Sequence, residues 1–147
     1  NYEIKKQFAP RKLMQSFNLT KESTEKHNWC AVLLDEVSQR KLKSLFKNVI
    51  PENWTIKCHH MTIDPFKPCD ESMVGKSVNL MITDFGCNET ACAVKVTGYK
   101  GTTNNKFPHV TLAVNEIGGG SAKDSNKITD WHPVMEHITL SGTIENL

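Results

Sequence analysis

Two stretches of this sequence share one pattern: Pro108-His109-Val110-Thr111-Leu112-Ala113-Val114 and, earlier, Cys58-His59-His60-Met61-Thr62-Ile63. Each places a His-x-Thr triplet inside an apolar, strand-like run. Side chains alternate between the two faces of a strand, so the His and the Thr of each triplet point the same way. In the later run, the opposite face consists of Val110, Leu112 and Val114 and is predicted to be core. We expect the fold to bring the two pairs together across one cleft.

The same alternation chooses between two adjacent histidines. His60 shares a strand face with Thr62, so His59 is expected on the opposite face, as a packing or surface group. The remaining histidines have no matching partner stretch and are expected at the surface: His27, His132 and His137. The sequence therefore indicates His60 and His109 as the paired functional histidines.

The composition is that of an ordinary globular domain. The chain has 147 residues, of which 38% are hydrophobic and 23% are charged, which fits one domain with a substantial core. It contains no apolar run of about 18 residues, so we expect no transmembrane helix. The first residues do not resemble a signal peptide. The chain starts without Met, which indicates a fragment or a processed protein.

The N-terminal part differs from the rest of the chain. Residues 1–27 show no sustained periodicity and are rich in Lys and Arg, although the net charge of the chain is only +2. We interpret 1–27 as a basic linker or arm from an upstream domain, and 28–147 as the folded domain. The small net charge does not by itself indicate a nucleic-acid partner.

The cysteines favour a reducing compartment. Their number is odd, five in all, their spacing is irregular, and no CxxC motif is present. We therefore expect free thiols rather than a disulfide framework or a structural zinc site. An intracellular protein, cytoplasmic or nuclear, is the corresponding expectation. Cys30 and Cys58 lie in apolar runs and are predicted to be small core residues.

Hydrophobic periodicity predicts a mixture of strands and helices. The strands are expected at 29–34, 54–63, 77–85, 90–96, 107–115 and 138–144. Apolar residues at helical spacing predict an amphipathic helix over 37–49, capped by Asp35 or Ser38 and ended before Pro51. A short helical turn is expected at 124–130. This order of elements predicts an α+β fold built on antiparallel sheet.

The paired triplets suit general acid–base chemistry on a phosphate. Imidazole can accept a proton from an attacking water and donate one to a leaving oxygen, because its pKa lies near neutrality. Each Thr hydroxyl can donate a hydrogen bond to an anionic oxygen whose charge rises in the transition state. The chemistry requires no metal, and the sequence shows no evident carboxylate cluster that would hold one.

These motifs resemble those of the two-histidine (2H) phosphoesterase superfamily. Within it, the stretches Ile50-Pro51-Glu52-Asn53-Trp54 and Leu140-Ser141-Gly142-Thr143-Ile144 make the chain most similar to the C-terminal cyclic phosphodiesterase domain of fungal tRNA ligases. The resemblance covers the chain from about residue 29 to its end. It implies a bilobal α+β fold, with two antiparallel sheets flanking a central cleft and helices outside.

The resemblance also implies an activity. Members of the family hydrolyse the 2′,3′-cyclic phosphate that tRNA splicing leaves on an exon half, giving a 2′-phosphate and a 3′-OH, without a cofactor. By match of motifs, His60 and His109 would be the acid–base pair, and Thr62 and Thr111 would bind the phosphate. Kinase and ligase domains would be covalently linked upstream in the full-length protein.

Other interpretations use the same residues. A different 2H enzyme is one: a 2′-5′ RNA ligase, a 3′-exonuclease or a nucleotide cyclic phosphodiesterase. A non-catalytic RNA-binding module is another. Tyr99, Lys100 and Lys106 lie in or beside the polar loop before the second motif and are candidate RNA contacts, since aromatic rings stack on bases and lysines bind phosphates. Phe107 is a weaker stacking candidate, because a core role explains it as well.

Overall fold

The computed structural model describes residues 29–147, and eight strands run through this part of the chain. In chain order they are β1 (Cys30–Leu34), β2 (Thr55–Ile56), β3 (His60–Asp64), β4 (Ser77–Cys87), β5 (Ala91–Thr97), β6 (His109–Val114), β7 (Trp131–Pro133) and β8 (Thr139–Asn146). One α-helix, α1 (Glu36–Phe46), and two 3₁₀ segments, Glu71–Met73 and Ala122–Lys127, complete the described elements.

Six of the strands close into a barrel. Each pairs antiparallel with two neighbours, in the cyclic order β1, β3, β6, β5, β4, β8 and back to β1. The two short strands lie alongside this ring, β2 on the end of β6 and β7 on the end of β4. Closure satisfies the backbone groups that an open sheet would leave at its edges.

The expected fold class is wrong. The resemblance implied a bilobal α+β fold with two sheets and helices outside, but the described residues form one closed, mostly β barrel with a single α-helix. The periodicity located the strands correctly but did not specify their partners. Strand β6 pairs with both β3 and β5, and these two pairings join what would be separate sheets into one ring.

Most of the predicted elements are confirmed. The helix is shorter than 37–49 and ends at Phe46. Asp35 is its N-cap, because the Ser38 backbone N–H donates to Asp35 Oδ1 at 2.7 Å. The Ser38 hydroxyl instead accepts from the Ser141 backbone N–H at 2.8 Å, which attaches the start of the helix to β8. The predicted strand 54–63 is divided into β2 and β3.

The barrel interior is the hydrophobic core. Met61 on β3 and Val110, Leu112 and Val114 on β6 have no exposed surface, which confirms the predicted core face of the second motif. Burying a side chain of this size stabilises a fold by about 1.5–3 kcal/mol. The His and Thr residues of both motifs alternate with these core residues, so they lie on the outer face of the barrel wall.

The prediction of free thiols is wrong for four cysteines. Disulfides join Cys30 to Cys69 and Cys87 to Cys92. The second pair faces across the β4–β5 hairpin, where the two residues are direct partners. The Cys30–Cys69 disulfide forms because the loop after β3 returns to the start of β1, although the two cysteines are 39 residues apart in the sequence. Cys58 is a free, fully buried thiol, and burial raises its pKa to about 11.

Two further expectations concern a membrane-spanning helix and the N-terminal part of the chain. No helix among residues 29–147 is long and apolar enough to cross a membrane. The basic linker or arm predicted for 1–27 lies outside the residues that the structure describes. The described barrel thus corresponds to nearly all of the predicted domain, 28–147.

Candidate functional site

A bulge separates β2 from β3. Both strands run along β6, and the Cys58 backbone N–H donates to the carbonyl oxygen of Thr111 at 3.0 Å. The next pair along the ladder is Met61 with Val110. Two residues therefore lie between consecutive partners on this strand, where a regular antiparallel ladder has none. Cys58 has a φ of 51°, a left-handed conformation that turns the chain at this point.

The two extra residues are His59 and His60, and the prediction that they face opposite ways is wrong. Both line the same pocket. Their Nδ1 atoms are 3.1 Å apart, and their rings meet edge to face with centroids separated by 5.3 Å. Alternation of faces holds only within a regular strand, and the bulge interrupts it here.

The second His-x-Thr pair lies in the part of β6 that pairs in register with β5, before a register shift that follows Thr111. His109 Nδ1 is 2.9 Å from the carbonyl oxygen of Phe107. A carbonyl can only accept, so Nδ1 carries the hydrogen and Nε2 is left for a ligand. The Thr111 hydroxyl is 2.9 Å from that of Ser125, in the 3₁₀ segment Ala122–Lys127. The surrounding protein thus fixes the orientation of both side chains.

The structure brings the four predicted site residues to one pocket: His60, Thr62, His109 and Thr111. The pocket has a volume of about 1070 Å³, slightly above the roughly 300–1,000 Å³ of most small-ligand sites. It lies on the outer face of the barrel wall and is enclosed by loops, so the predicted central cleft between two lobes is absent from the described fold. Trp29 contributes an aromatic wall, its ring 5.0 Å from that of His60.

The pocket is electropositive. Among the described residues that line it are three lysines, Lys57, Lys106 and Lys123, and no Asp or Glu. Lys57 forms an ion pair with Glu116 at 3.1 Å. For Lys106 and Lys123, the described residues supply no ion-pair partner. Cationic side chains in a cleft attract anions, and partial enclosure by protein strengthens the effect.

The surroundings of His60 and His109 favour the neutral form of each ring. Burial, followed by the positive charges of His59, His109 and Lys57, lowers the pKa of His60 to about 4. Burial also lowers the pKa of His109, opposed by the hydrogen bond to the Phe107 carbonyl. A bound anion favours protonation and shifts both pKa values upward. Proton exchange at these rings is therefore coupled to the arrival of a negative ligand.

The candidate RNA contacts divide into two groups. Lys106 lines the pocket, whereas Tyr99 and Lys100 do not. Tyr99 packs against the core. Phe107 packs against His109 and Trp131, with ring centroids 5.2 and 5.4 Å away. Phe107 thus supports the second histidine from within the fold.

Several residues of the pocket were not predicted. Lys123 and Asn126 reach it from the 3₁₀ segment, and Phe66 reaches it from the loop after β3, with 78% of its surface exposed. Contacts between segments so distant in sequence leave no local pattern. Only Lys57 carried a usable signal, because it directly precedes the first motif.

Neither a metal site in the described residues nor a recognised relative indicates the function. Within residues 29–147, no three His, Cys, Asp or Glu side chains are grouped as they are in a metal site. No protein-family model matches this chain, and no curated protein or solved structure is significantly similar to it. A functional assignment therefore rests on the geometry of the pocket.

Proposed function

We propose that this protein is a metal-independent phosphodiesterase that hydrolyses 2′,3′-cyclic phosphate ends of RNA to a 2′-phosphate and a 3′-OH. One observation carries the proposal: two His-x-Thr pairs from neighbouring strands face one lysine-lined pocket, to which residues 29–147 contribute no carboxylate. Imidazole pairs perform acid–base catalysis, and hydroxyl donors stabilise a phosphate whose charge increases in the transition state. The likeness of the motifs to those of 2H phosphoesterases supports the same chemistry, although the fold differs.

The two histidines suit different roles. Burial lowers the pKa of His109, but the carbonyl oxygen that its Nδ1–H faces opposes this shift and stabilises the protonated ring, which suits a general acid. His60 faces Lys57 and two other histidines, which oppose protonation and suit a general base. Pairs of titratable groups with diverging pKa values are typical of acid–base sites. We therefore assign the base to His60 and the acid to His109.

The reaction balances with these two groups. His60 Nε2 takes a proton from water as the water oxygen forms a bond to phosphorus. The bond from phosphorus to O3′ breaks, and His109 Nε2–H gives its proton to O3′. The product carries a 2′-phosphate and a 3′-OH. Exchange of protons with solvent then restores a neutral His60 and a protonated His109.

The surroundings support a substrate larger than a phosphate. Thr62 and Thr111 can donate to the nonbridging phosphate oxygens, while Lys106 and Lys123 can meet further phosphates of an RNA strand. The pocket volume of about 1070 Å³ leaves room for at least one nucleoside beside the cyclic phosphate. A tRNA exon half is the substrate that the family resemblance favours, with kinase and ligase domains linked upstream.

The proposed substrate places the protein in the cytoplasm or nucleus. The two disulfides argue against a location in the cytoplasm or nucleus, because disulfides are rare in those compartments. The number of thiols that react with an alkylating reagent in freshly lysed, denatured cells decides the matter. A count of all five cysteines supports a reducing compartment, and a count of Cys58 alone contradicts it.

The function is tested by hydrolysis assays in EDTA. The substrates are 2′,3′-cyclic AMP and a short oligonucleotide ending in a 2′,3′-cyclic phosphate, and the product is identified against 2′- and 3′-phosphate standards. We expect the 2′-phosphate from the wild-type protein and no product from the double variant His60→Ala/His109→Ala. His137→Ala, an exposed histidine outside the pocket, is the matched control.

Each alternative has its own outcome in this assay. A 3′-phosphate product supports the acid–base chemistry but contradicts the proposed direction of ring opening. Binding of the oligonucleotide without hydrolysis indicates an RNA-binding module. Activity that appears only when a divalent metal is added contradicts the proposal as a whole.

A further inference from the structure

We propose that His59 is a positioning residue that fixes the tautomer of His60 by accepting a hydrogen bond from its Nδ1–H. The inference rests on the proposed function, because it explains how the proposed base presents a lone pair. Its basis is the 3.1 Å separation between the two Nδ1 atoms, created by the bulge between β2 and β3. At this distance one nitrogen must carry the hydrogen and the other must accept it.

The charges around the pocket select the direction of this hydrogen bond. If His60 donates from Nδ1, its Nε2 presents a lone pair toward a pocket that contains Lys57 and Lys106. If His60 accepts at Nδ1, its Nε2 presents an N–H toward the same cations. A lone pair facing positive charge is the more favourable arrangement. The Nδ1–H tautomer of His60 also matches that of His109, where a carbonyl takes the place of His59.

The exposure of His59 fits the role of acceptor. His59 is more exposed than His60, so its own Nε2–H can be hydrated. The groups that act on this pair are Lys43 from α1 and, through His60, Lys57 and His109. All are cationic when charged, so they oppose protonation of His59. Protonated His59 could only donate from Nδ1, and His60 would then carry its hydrogen on Nε2 and lose its basic lone pair.

Two substitutions separate the hydrogen bond from simple packing. In His59→Asn, the amide oxygen can occupy about the position of Nδ1 and accept from His60. In His59→Phe, the ring remains but the acceptor is lost. Both variants are compared with the wild type by thermal unfolding, and His59→Leu replaces His59→Phe if that variant does not fold.

The direct measurement is the tautomer of His60, read from two-bond ¹H–¹⁵N correlations in ¹⁵N-labelled full-length protein at pH 7.5. We expect Nδ1–H in the wild type and in His59→Asn, and a shift toward Nε2–H in His59→Phe. This spectrum needs no activity, so it tests the inference even if the protein hydrolyses nothing. An unchanged Nδ1–H tautomer in His59→Phe, or Nε2–H in the wild type, overturns the proposal.

Kinetics give a second test that a packing role would not satisfy. We expect His59→Phe to lower kcat by about 10–100-fold, the usual cost of losing an orienting partner, with little change in KM. His59→Asn should recover most of that loss. The acid limb of its pH–rate profile should involve one proton fewer than that of the wild type, because an amide does not titrate. Equal losses in both variants overturn the inference, whereas inactivity of the wild type contradicts only the proposed function.

Discussion

The two His-x-Thr motifs have the same pattern but different backbones. The second pairs in register with β5 from His109 to Thr111, where the Phe107 carbonyl fixes His109 and Ser125 contacts Thr111. The first follows a bulge, where a second histidine replaces the carbonyl as the partner of Nδ1. A carbonyl always accepts and has no proton to exchange, whereas a histidine can do either. The comparison shows that one local sequence can acquire two protonation behaviours from its surroundings.

The difference has a consequence for catalysis. Burial lowers the pKa of both histidines, and the carbonyl opposes this shift at His109, whereas the neighbouring cations add to it at His60. An acid and a base in one pocket need this divergence, because one must hold a proton while the other lacks it. Substitutions within each motif and the pH dependence of activity test whether the two motifs are unequal in this way.

The largest expected effect is the loss of either histidine. His60→Ala and His109→Ala should each lower kcat on a 2′,3′-cyclic phosphate by about 10²–10⁴-fold, the range for positioned acid–base groups. A p-nitrophenyl phosphodiester, whose leaving group needs no proton, should distinguish them. On this substrate His109→Ala should retain much more activity than His60→Ala. Equal losses on both substrates would contradict the assignment of base and acid.

The next largest effect is expected when the threonine hydroxyls are removed. Thr62→Val and Thr111→Val keep the shape of the side chain and remove the hydroxyl donor. Each should reduce kcat by about 10–10²-fold, somewhat below the 10²–10³-fold cost of a strongly preorganised donor. Thr97→Val, at an exposed end of β5, is the matched control. Steady-state kinetics that show a change in KM alone would indicate that the hydroxyl binds the substrate without stabilising the transition state.

The pH dependence should be bell-shaped, with its maximum on the acid side of neutrality. The profile of kcat/KM reports the free enzyme. Activity falls as His60 becomes protonated, at about pH 4, and falls again as His109 loses its proton, below its ordinary pKa of 6.5. Between the maximum and pH 7.5 we expect at least about a tenfold decrease. A maximum above pH 7 would show that the free-enzyme pKa values are not lowered.

The smallest effect concerns the support of Thr111. Ser125 is fully buried, and its hydroxyl can donate to Thr111 Oγ1, while the Thr111 hydroxyl donates at 3.5 Å to the Ala122 carbonyl, a long hydrogen bond that a phosphate oxygen would replace. Ser125→Ala should reduce kcat by about 2–10-fold, as expected for one neutral hydrogen bond. In the Thr111→Val background the same change should have almost no effect. Fully additive losses in this double-mutant cycle would exclude the proposed coupling.

The sequence predicted the parts of the fold better than their assembly. Alternation correctly located the strands around both motifs and the core face of β6, because burial of alternate residues is a local requirement. The pairing of β6 with both β3 and β5 was not predictable in this way. Many pairings satisfy the same pattern, and only the packing of the whole core selects one.

The candidate site shows the same division. His60, Thr62, His109 and Thr111 were chosen from the sequence, and they do line one pocket. The role expected of His59 was wrong because a bulge has no signature in this stretch, and Tyr99 and Lys100 lie outside the pocket. The pairing of Cys30 with Cys69 also depends on a loop returning to a distant strand.

By itself, the sequence determined which residues carry chemistry and which carry the core, since both follow from residue type and a period of two. Only the tertiary structure decided what each functional group faces. The register of β3 against β6 placed a histidine beside His60, and the 3₁₀ segment placed a serine beside Thr111. Protonation and orientation depend on such contacts at about 3 Å, which are set by the backbone geometry and strand register rather than by residue type.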